Sequence, residues 1–376
     1  MKRIIFTLAL SALTLGSTAQ ELALVVEKRE AGYIDRSGKY VIQPQFTKAD
    51  DFSGRYAAAM KDKKWGFIDA SGKWIIEPQY DKAKSFNSGY ALVLDGKDWK
   101  YINDKNEPLS TPATDKLYDF NEGVAFIRVN DKVGLIDTNG KIILEPKYDK
   151  IMKFKNGHAK VQDGSSWGIL SNAGKVIVPV EYDEIGGYSK NGLWAKKGDS
   201  FGVINNGSFT PIAGIEKIWD FPHGSSLTYA RSDKKMGFIN NKGEWIVQPT
   251  YEKARAFNLG LAPVSKDGNW GYINEKGDVV IDFKYKDAEI FADTGLAPVK
   301  EKKLWGFVDK TGKLVIPMEY EISLPMFGFL LTDDVVGFDG NTAKVKKKKS
   351  WGHIDKQGNV VGDWYRHVGP FVDTSK

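Results

Sequence analysis

"KWGFIDASGKWIIEPQYD", Lys64 to Asp81, sets Trp65 and Gly66 side by side at the start of what otherwise reads as a β-strand. Glycine inside a strand costs backbone entropy and offers nothing to pack, so its place beside the largest side chain needs a cause. Repetition supplies one. Equivalents of Gly66 stand at Gly32, Lys100, Gly134, Gly168, Gly202, Gly237, Gly271, Gly306 and Gly352, in steps of 34, 34, 34, 34, 34, 35, 34, 35 and 46 residues. A period held this closely marks a tandem-repeat protein and overrides a division into conventional domains.

The aligned columns describe the unit. Two residues past the anchor every repeat is aliphatic, as at Ile34, Ile68, Ile136 and Val308, and the position before it is mostly apolar as well, as at Tyr33, Phe67 and Phe307. Adjacent strand residues point to opposite faces, so this strand is expected to be covered on both sides. A Gly six past the anchor, as in Gly38, Gly72 and Gly312, marks a turn, and the β-branched run after it stops near Pro, a residue suited to strand ends. An aromatic follows at Phe46, Tyr80, Tyr148, Tyr182, Tyr251, Tyr285 and Tyr320. A second stands six residues on at Phe52, Phe86, Phe154, Tyr188, Phe257 and Phe291. A "G-x-A-x-V" element such as "GHAKV", Gly157 to Val161, then leads through a polar turn into the next anchor strand. Each repeat is therefore three or four short antiparallel strands, too small to bury both faces without its neighbours.

The full pair occurs at Trp65–Gly66, Trp167–Gly168, Trp270–Gly271, Trp305–Gly306 and Trp351–Gly352, and Trp99 precedes Lys100 instead. Where Trp is missing, Ala31, Val133, Phe201 and Met236 replace it, all apolar, which suits a packing position. Trp is read as filling the space between repeats and Gly as the gap that lets them approach. At residues 65 to 81 the chain resembles the WG-repeat family, whose motif runs W-G-[FY]-I-D-x-x-G-K-x-V-I-x-P-x-Y-D, and "WGFVDKTGKLVIPMEY" from Trp305 follows it with Pro one place earlier. Departures fall at Lys100 with its "NEPLSTP", at the sixth repeat from Phe201, and at the long step before Gly352. The resemblance implies an exported or cell-surface bacterial β-repeat protein and carries over no catalytic residue.

Lys2 and Arg3, the apolar run Ile4 to Leu15, and Ser17 and Ala19 read as a secretory signal peptide over 1–19, leaving 20–376 as one repeat domain. The apolar run is short for a membrane span, and no later segment suits one. Without cysteine the chain forms no disulfide, thiolate metal site or lipidated N-terminus. The expected product is periplasmic, cell-surface or secreted, and not a lipoprotein. Removing Lys2 and Arg3 takes the net charge from +6 to +4, with both signs interspersed, so no basic face for nucleic acid is evident.

Catalysis has little support. His158, His223, His353 and His367 share no metal spacing, and His353 falls in an apolar column, which reads as a packed histidine. Asp35, Asp69, Asp137, Asp309 and Asp355 recur at the strand end, where an Asx turn explains them. The run "KKKKS", Lys346 to Ser350, aligns with the hairpin turn "KDKK", Lys61 to Lys64, and reads as a solvated turn. Two features favour binding. Tyr40, Trp74 and Trp245 stand where other repeats carry aliphatic residues, and exposed rings there would stack on sugars. The insertion near 326–341 reads as an extra hairpin with Phe327 and Phe329 on one arm and "VVGF" on the other.

The expected fold is all-β: a tandem array of ten repeats, either a propeller-like ring or an open superhelix. Because each repeat looks complete and no strand is left over to close a ring by swapping, an open or loosely closed array is favoured, with the divergent sixth repeat read as a boundary between halves. The expected function is a non-enzymatic binding or scaffold module of a bacterial envelope or secreted protein, without cofactor or metal, recognising a protein or polysaccharide. A cell-envelope glycan hydrolase is the alternative, and it would require paired acids in a cleft.

Overall fold

The turns decide the local structure. In "KDKK" both central residues take positive φ, Asp62 at 50° and Lys63 at 66°, the conformation whose twist matches a two-residue hairpin. The basic run Lys346 to Lys349 turns in the same place: the strand Thr342–Lys347 ends within it and Ser350 opens the next. At the other end of the anchor strand, Gly72 sits at φ 84°, and the Asp69 carboxylate accepts from the N–H of Ser71 at 2.9 Å and of Lys73 at 3.1 Å. The repeated Asp is thus a turn former.

Past that turn, Trp74–Tyr80 returns along Lys64–Ile68 with a bulge. Trp65 opposes Tyr80 while Phe67 opposes Ile76, so the returning strand carries extra residues around Glu77 and Pro78. That bulge accounts for the anchor glycine: a Cβ on Gly66 would meet the Ile76 carbonyl oxygen at 2.4 Å and the Pro78 nitrogen at 2.8 Å. The close approach is therefore made by the strand of the same repeat and not by a neighbouring repeat. Lys100 confirms the reason, since its repeat lacks a long return strand and has only the bridge of Ile102 to Pro108.

This computed structural model describes residues 20–322 and 336–375. The described residues form ten antiparallel sheets, and no helix occurs among them, hence none long and apolar enough to cross a membrane. Blade 2 shows the pattern: Lys48–Ala49, Ala57–Lys61, Lys64–Ile68 and Trp74–Tyr80, side by side in that order. Its first strand is the tail of the preceding repeat, so every blade is offset from the sequence repeat by one segment. The offset leaves the tail of the last repeat, His367–Asp373, with no following repeat, and it pairs with the first strand of the chain, Glu21–Glu27. Glu21 opposes Asp373, and Val26 opposes His367. Arg36 of blade 1 also donates to Thr342 Oγ1 of blade 10 at 3.2 Å.

The array is consequently a closed ten-bladed propeller. This corrects the expectation that no strand remains for closure: the short third segment of each repeat pairs forward, and the last one reaches the first. The sixth repeat is no boundary in the ring; its blade is four-stranded like its neighbours, with the short return strand Ser208–Pro211. The return strands form the outer rim, where Val176, Val279 and Leu314 are exposed. Tail segments face inward, and Asp51 of blade 2 and Lys344 of blade 10 interact electrostatically although blade 1 lies between them.

The core lies between blades. Where an aromatic follows the anchor, it meets the tail aromatic of the next blade: Tyr33 with Phe52 at 4.7 Å, Phe67 with Phe86 at 4.7 Å, Tyr272 with Phe291 at 5.0 Å, Phe307 with Phe338 at 5.0 Å. Such tilted and edge-on pairs add to the burial of the rings themselves. At the end of the insertion, Phe338–Asp339 is the inner strand of blade 10, paired with Thr342 and Ala343. Phe327 and Phe329 lie outside the described residues.

Candidate functional site

The tail-aromatic column contains one departure. Phe52, Phe86, Phe154, Phe257 and Phe291 are all 5% exposed or less, whereas Tyr188 is 38% exposed. The cause is local to blade 6, whose strands are Glu184–Ile185, Trp194–Lys197, Ser200–Asn205 and Ser208–Pro211. Ile185 and Leu193 fill the core beside Ile169 of blade 5. The Trp194 indole N–H donates to Asp220 Oδ1 of blade 7 at 2.7 Å, directly over Gly186, where a Cβ would meet the indole nitrogen at 2.5 Å. The tyrosine is left outside the core, and its ring stacks on His158 of blade 5, centroids 3.9 Å apart and planes 17° apart.

The stack lies in a cleft of about 570 Å³ that runs across the loops of blades 4 to 7, from Glu122 to His223. Hydrogen bonds between blades tie its walls together. The Glu122 carboxylate accepts from the N–H of Asn156 at 2.8 Å and of Gly157 at 2.6 Å. Asn191 Nδ2 donates to the carbonyls of Pro222 at 2.8 Å and His223 at 2.9 Å, and Asn156 Nδ2 lies 3.2 Å from His223 Nε2. His158 Nδ1 lies 2.8 Å from the Asn156 carbonyl, so it carries a proton and a neutral ring turns Nε2 outward as an acceptor. Lys153, Lys155 and Lys160 complete the lining.

The expected sugar-stacking residues are not gathered in one place. Tyr40, Trp74 and Trp245 open the return strands of blades 1, 2 and 7. Trp74 packs edge-on against Phe46 of blade 1 at 5.5 Å, and Trp245 packs on the cluster that joins blades 6 and 7. Tyr40 donates to Glu27 Oε2 at 2.9 Å and lines a cleft at the closure seam with Asp363 and Trp364. Among the motif residues, Trp270 and Trp305 are buried, Trp65, Trp167 and Trp351 are half-buried, and Trp99 is 37% exposed. Cations cover several of them: Arg255 stands 4.4 Å from the Trp270 ring, Lys300 5.4 Å from Trp305 and Lys344 5.2 Å from Trp351.

Two buried ionisable groups belong to this packing. His353 is held by a hydrogen bond to the Gly369 carbonyl at 2.8 Å, and burial lowers its pKa, as suits a packed ring. Glu289 meets Arg255 at 2.9 Å between blades 8 and 9, and burial raises its carboxyl to about 7 despite that partner. No group of three His, Cys, Asp or Glu among the described residues is placed to hold a metal ion.

The family described as WG containing repeat matches residues 32–65, 65–99, 101–132, 134–166, 167–200, 236–270, 270–305 and 305–322. The chain belongs to the WG-repeat family. Its match to the family lapses over 201–235, the stretch that brings Asp220 and His223 to the cleft. No curated protein matches the WG-repeat chain in sequence. Among solved structures, a eukaryotic initiation factor is 10% identical, with 94% of this chain and 98% of that chain covered at a TM-score of 0.50. PorZ, a bacterial surface component of the type-IX secretion system of Porphyromonas gingivalis, is 10% identical over 90% of this chain and 57% of its own, at 0.26. Hsv2 of Kluyveromyces lactis is 11% identical over 60% and 92%, at 0.27. The first likeness supports the propeller fold and nothing more. The other two are too loose to argue from.

Proposed function

We propose that this WG-repeat protein is a non-enzymatic binding or scaffold module, exported to a bacterial envelope or secreted, which recognises a protein or polysaccharide through the cleft across blades 4 to 7. One observation carries the reading: Tyr188 leaves a column of buried phenylalanines to stack on His158 in a concave site. A positioned aromatic in a cleft is how small sites orient a ligand. Both carboxylates of the cleft already hold structure, Glu122 on two backbone N–H groups and Asp220 on the Trp194 indole, which favours binding over acid–base work. Export is supported by the N-terminal pattern of Lys2, Arg3 and the apolar run behind them.

The test is a capture screen of envelope proteins and glycans on immobilised protein, comparing wild type with His158→Ala/Tyr188→Ala and with Trp74→Ala. Loss of the captured partner in the double variant alone supports the cleft. Equal capture by the double variant overturns it, and turnover of a captured glycan overturns the non-enzymatic reading.

A further inference from the structure

We infer that the ligand of this cleft is an acidic polysaccharide segment, whose sugar ring stacks on the Tyr188–His158 pair while its anionic groups face Lys153 and Lys160. The inference rests on the binding-module reading and adds the ligand class.

Charge comes first. Lys153, Lys155 and Lys160 line the cleft against only Glu122 and Asp220. The two carboxylates keep their charge but turn it toward backbone and indole donors within the protein, and the three lysines outnumber them. Lys160 donates at 3.4 Å to the Ile185 carbonyl and stands 5.9 Å from the Trp167 ring, neither of which neutralises its charge. Lys153 is exposed and makes no ion pair among the described residues. A cationic cleft with low-dielectric walls concentrates anions.

Shape and donor type narrow the class. The volume of about 570 Å³ lies within the range of about 300–1,000 Å³ typical of small-ligand sites, enough for a few sugar rings. Passage across four blades suits a chain that enters at one end and leaves at the other. The stacked rings present an apolar face with a polar edge, which matches the C–H face of a pyranose and its hydroxyls. No arginine lines the cleft, and the N–H groups of Asn156 and Gly157 are already taken by Glu122. A phosphate site would use such forks and backbone donors; lysines on flexible stems suit the scattered acids of a sugar polymer.

The experiment is titration calorimetry of the full chain without residues 1–19 against three probes: a galacturonic acid hexamer, its carboxyl-reduced neutral counterpart, and a sulfated hexamer. Acidic probes are expected to bind at least about tenfold more tightly than the neutral one, with affinity falling as salt rises. The stronger of the two acidic probes identifies carboxylate or sulfate as the source of the charge. Tyr188→Ala and Lys153→Gln should each weaken the acidic probe by about tenfold, while Lys348→Gln, in the distant hairpin of blade 10, changes nothing. Lys153 is exposed, so its variant stays informative where Lys160→Gln disturbs packing on Trp167; melting curves verify both. Equal binding of neutral and acidic probes, or indifference to Lys153→Gln, overturns the inference. If no glycan binds but a protein is captured through Tyr188, the ligand class fails and the binding module stands. If Tyr188 matters to no capture, both fail.

Discussion

Gly66 lies beneath the carbonyl oxygen of Ile76, on the adjacent strand of its own blade, with 2.4 Å between that oxygen and the place a Cβ would occupy. The same arrangement recurs at Gly134 with Leu144 at 2.4 Å and at Gly306 with Ile316 at 2.5 Å. Backbone atoms on both sides leave no flexible side chain to yield. Gly66→Ala is therefore expected to destabilise the ring by about 1–3 kcal/mol through overpacking. At Gly352 the nearest atom is a ring carbon of Trp364 at 3.0 Å, so Gly352→Ala should cost less. Lys100→Ala should cost little, because no bulged strand crosses it. Denaturant midpoints of the three variants check the order; a harmless Gly66→Ala contradicts it.

Glu289 sets a pH dependence. Its carboxyl is raised from 4.5 to about 7, chiefly by burial, then lowered by Arg255 and raised by Asp287. The folded state thus binds the proton more tightly than the unfolded state, so its contribution is present below about pH 4.5 and is lost as pH rises through about 7. The difference amounts to about 3 kcal/mol. Glu289→Gln mimics the protonated form. It should match wild type at pH 4 and exceed it in stability at pH 8. Melting curves at both values decide, and a variant weaker at pH 8 would show that the ion pair with Arg255 outweighs burial.

Repetition made much of this fold visible in advance. The glycine, aspartate and aromatic columns each correspond to one recurring contact, because a constraint imposed in every blade leaves its mark in every repeat. Strand partnership leaves no such mark. Lys48–Ala49 pairs over two residues, too few for a periodic pattern, so its forward pairing was invisible, and with it the role of His367–Asp373 in closure. The candidate site was hidden for a different reason: Tyr188 fits an aromatic column by type and departs from it only in environment. Its hydroxyl among phenylalanines and the Gly186–Gly187 pair before it were the available signals.

Tyr188 and Trp74 should separate stability from binding. Trp74 is wedged against Phe46 between blades 1 and 2, and Trp74→Ala is expected to cost roughly 2 kcal/mol, below the value for a fully buried ring. Tyr188 stacks on one side only and stands outside the core, so Tyr188→Ala should change stability by no more than about 0.5 kcal/mol. Chemical denaturation of the two variants measures both. A large loss for Tyr188→Ala would return the residue to a packing role.

The closed ring is the frame that carries the cleft, and closure rests on His367–Asp373 lying beside Glu21–Glu27. The chain has no cysteine, so a pair placed at Val26 and His367, which oppose each other in that register, reports on closure without background. Opposed residues of antiparallel strands stand about 4.5–5.5 Å apart at Cα, within reach of a disulfide. In Val26→Cys/His367→Cys, mild oxidation of dilute protein should give a bond within one chain, seen by mass spectrometry as linked N- and C-terminal peptides at monomer size. Free thiols under the same conditions, or bonds formed only between chains, would contradict the closed ring.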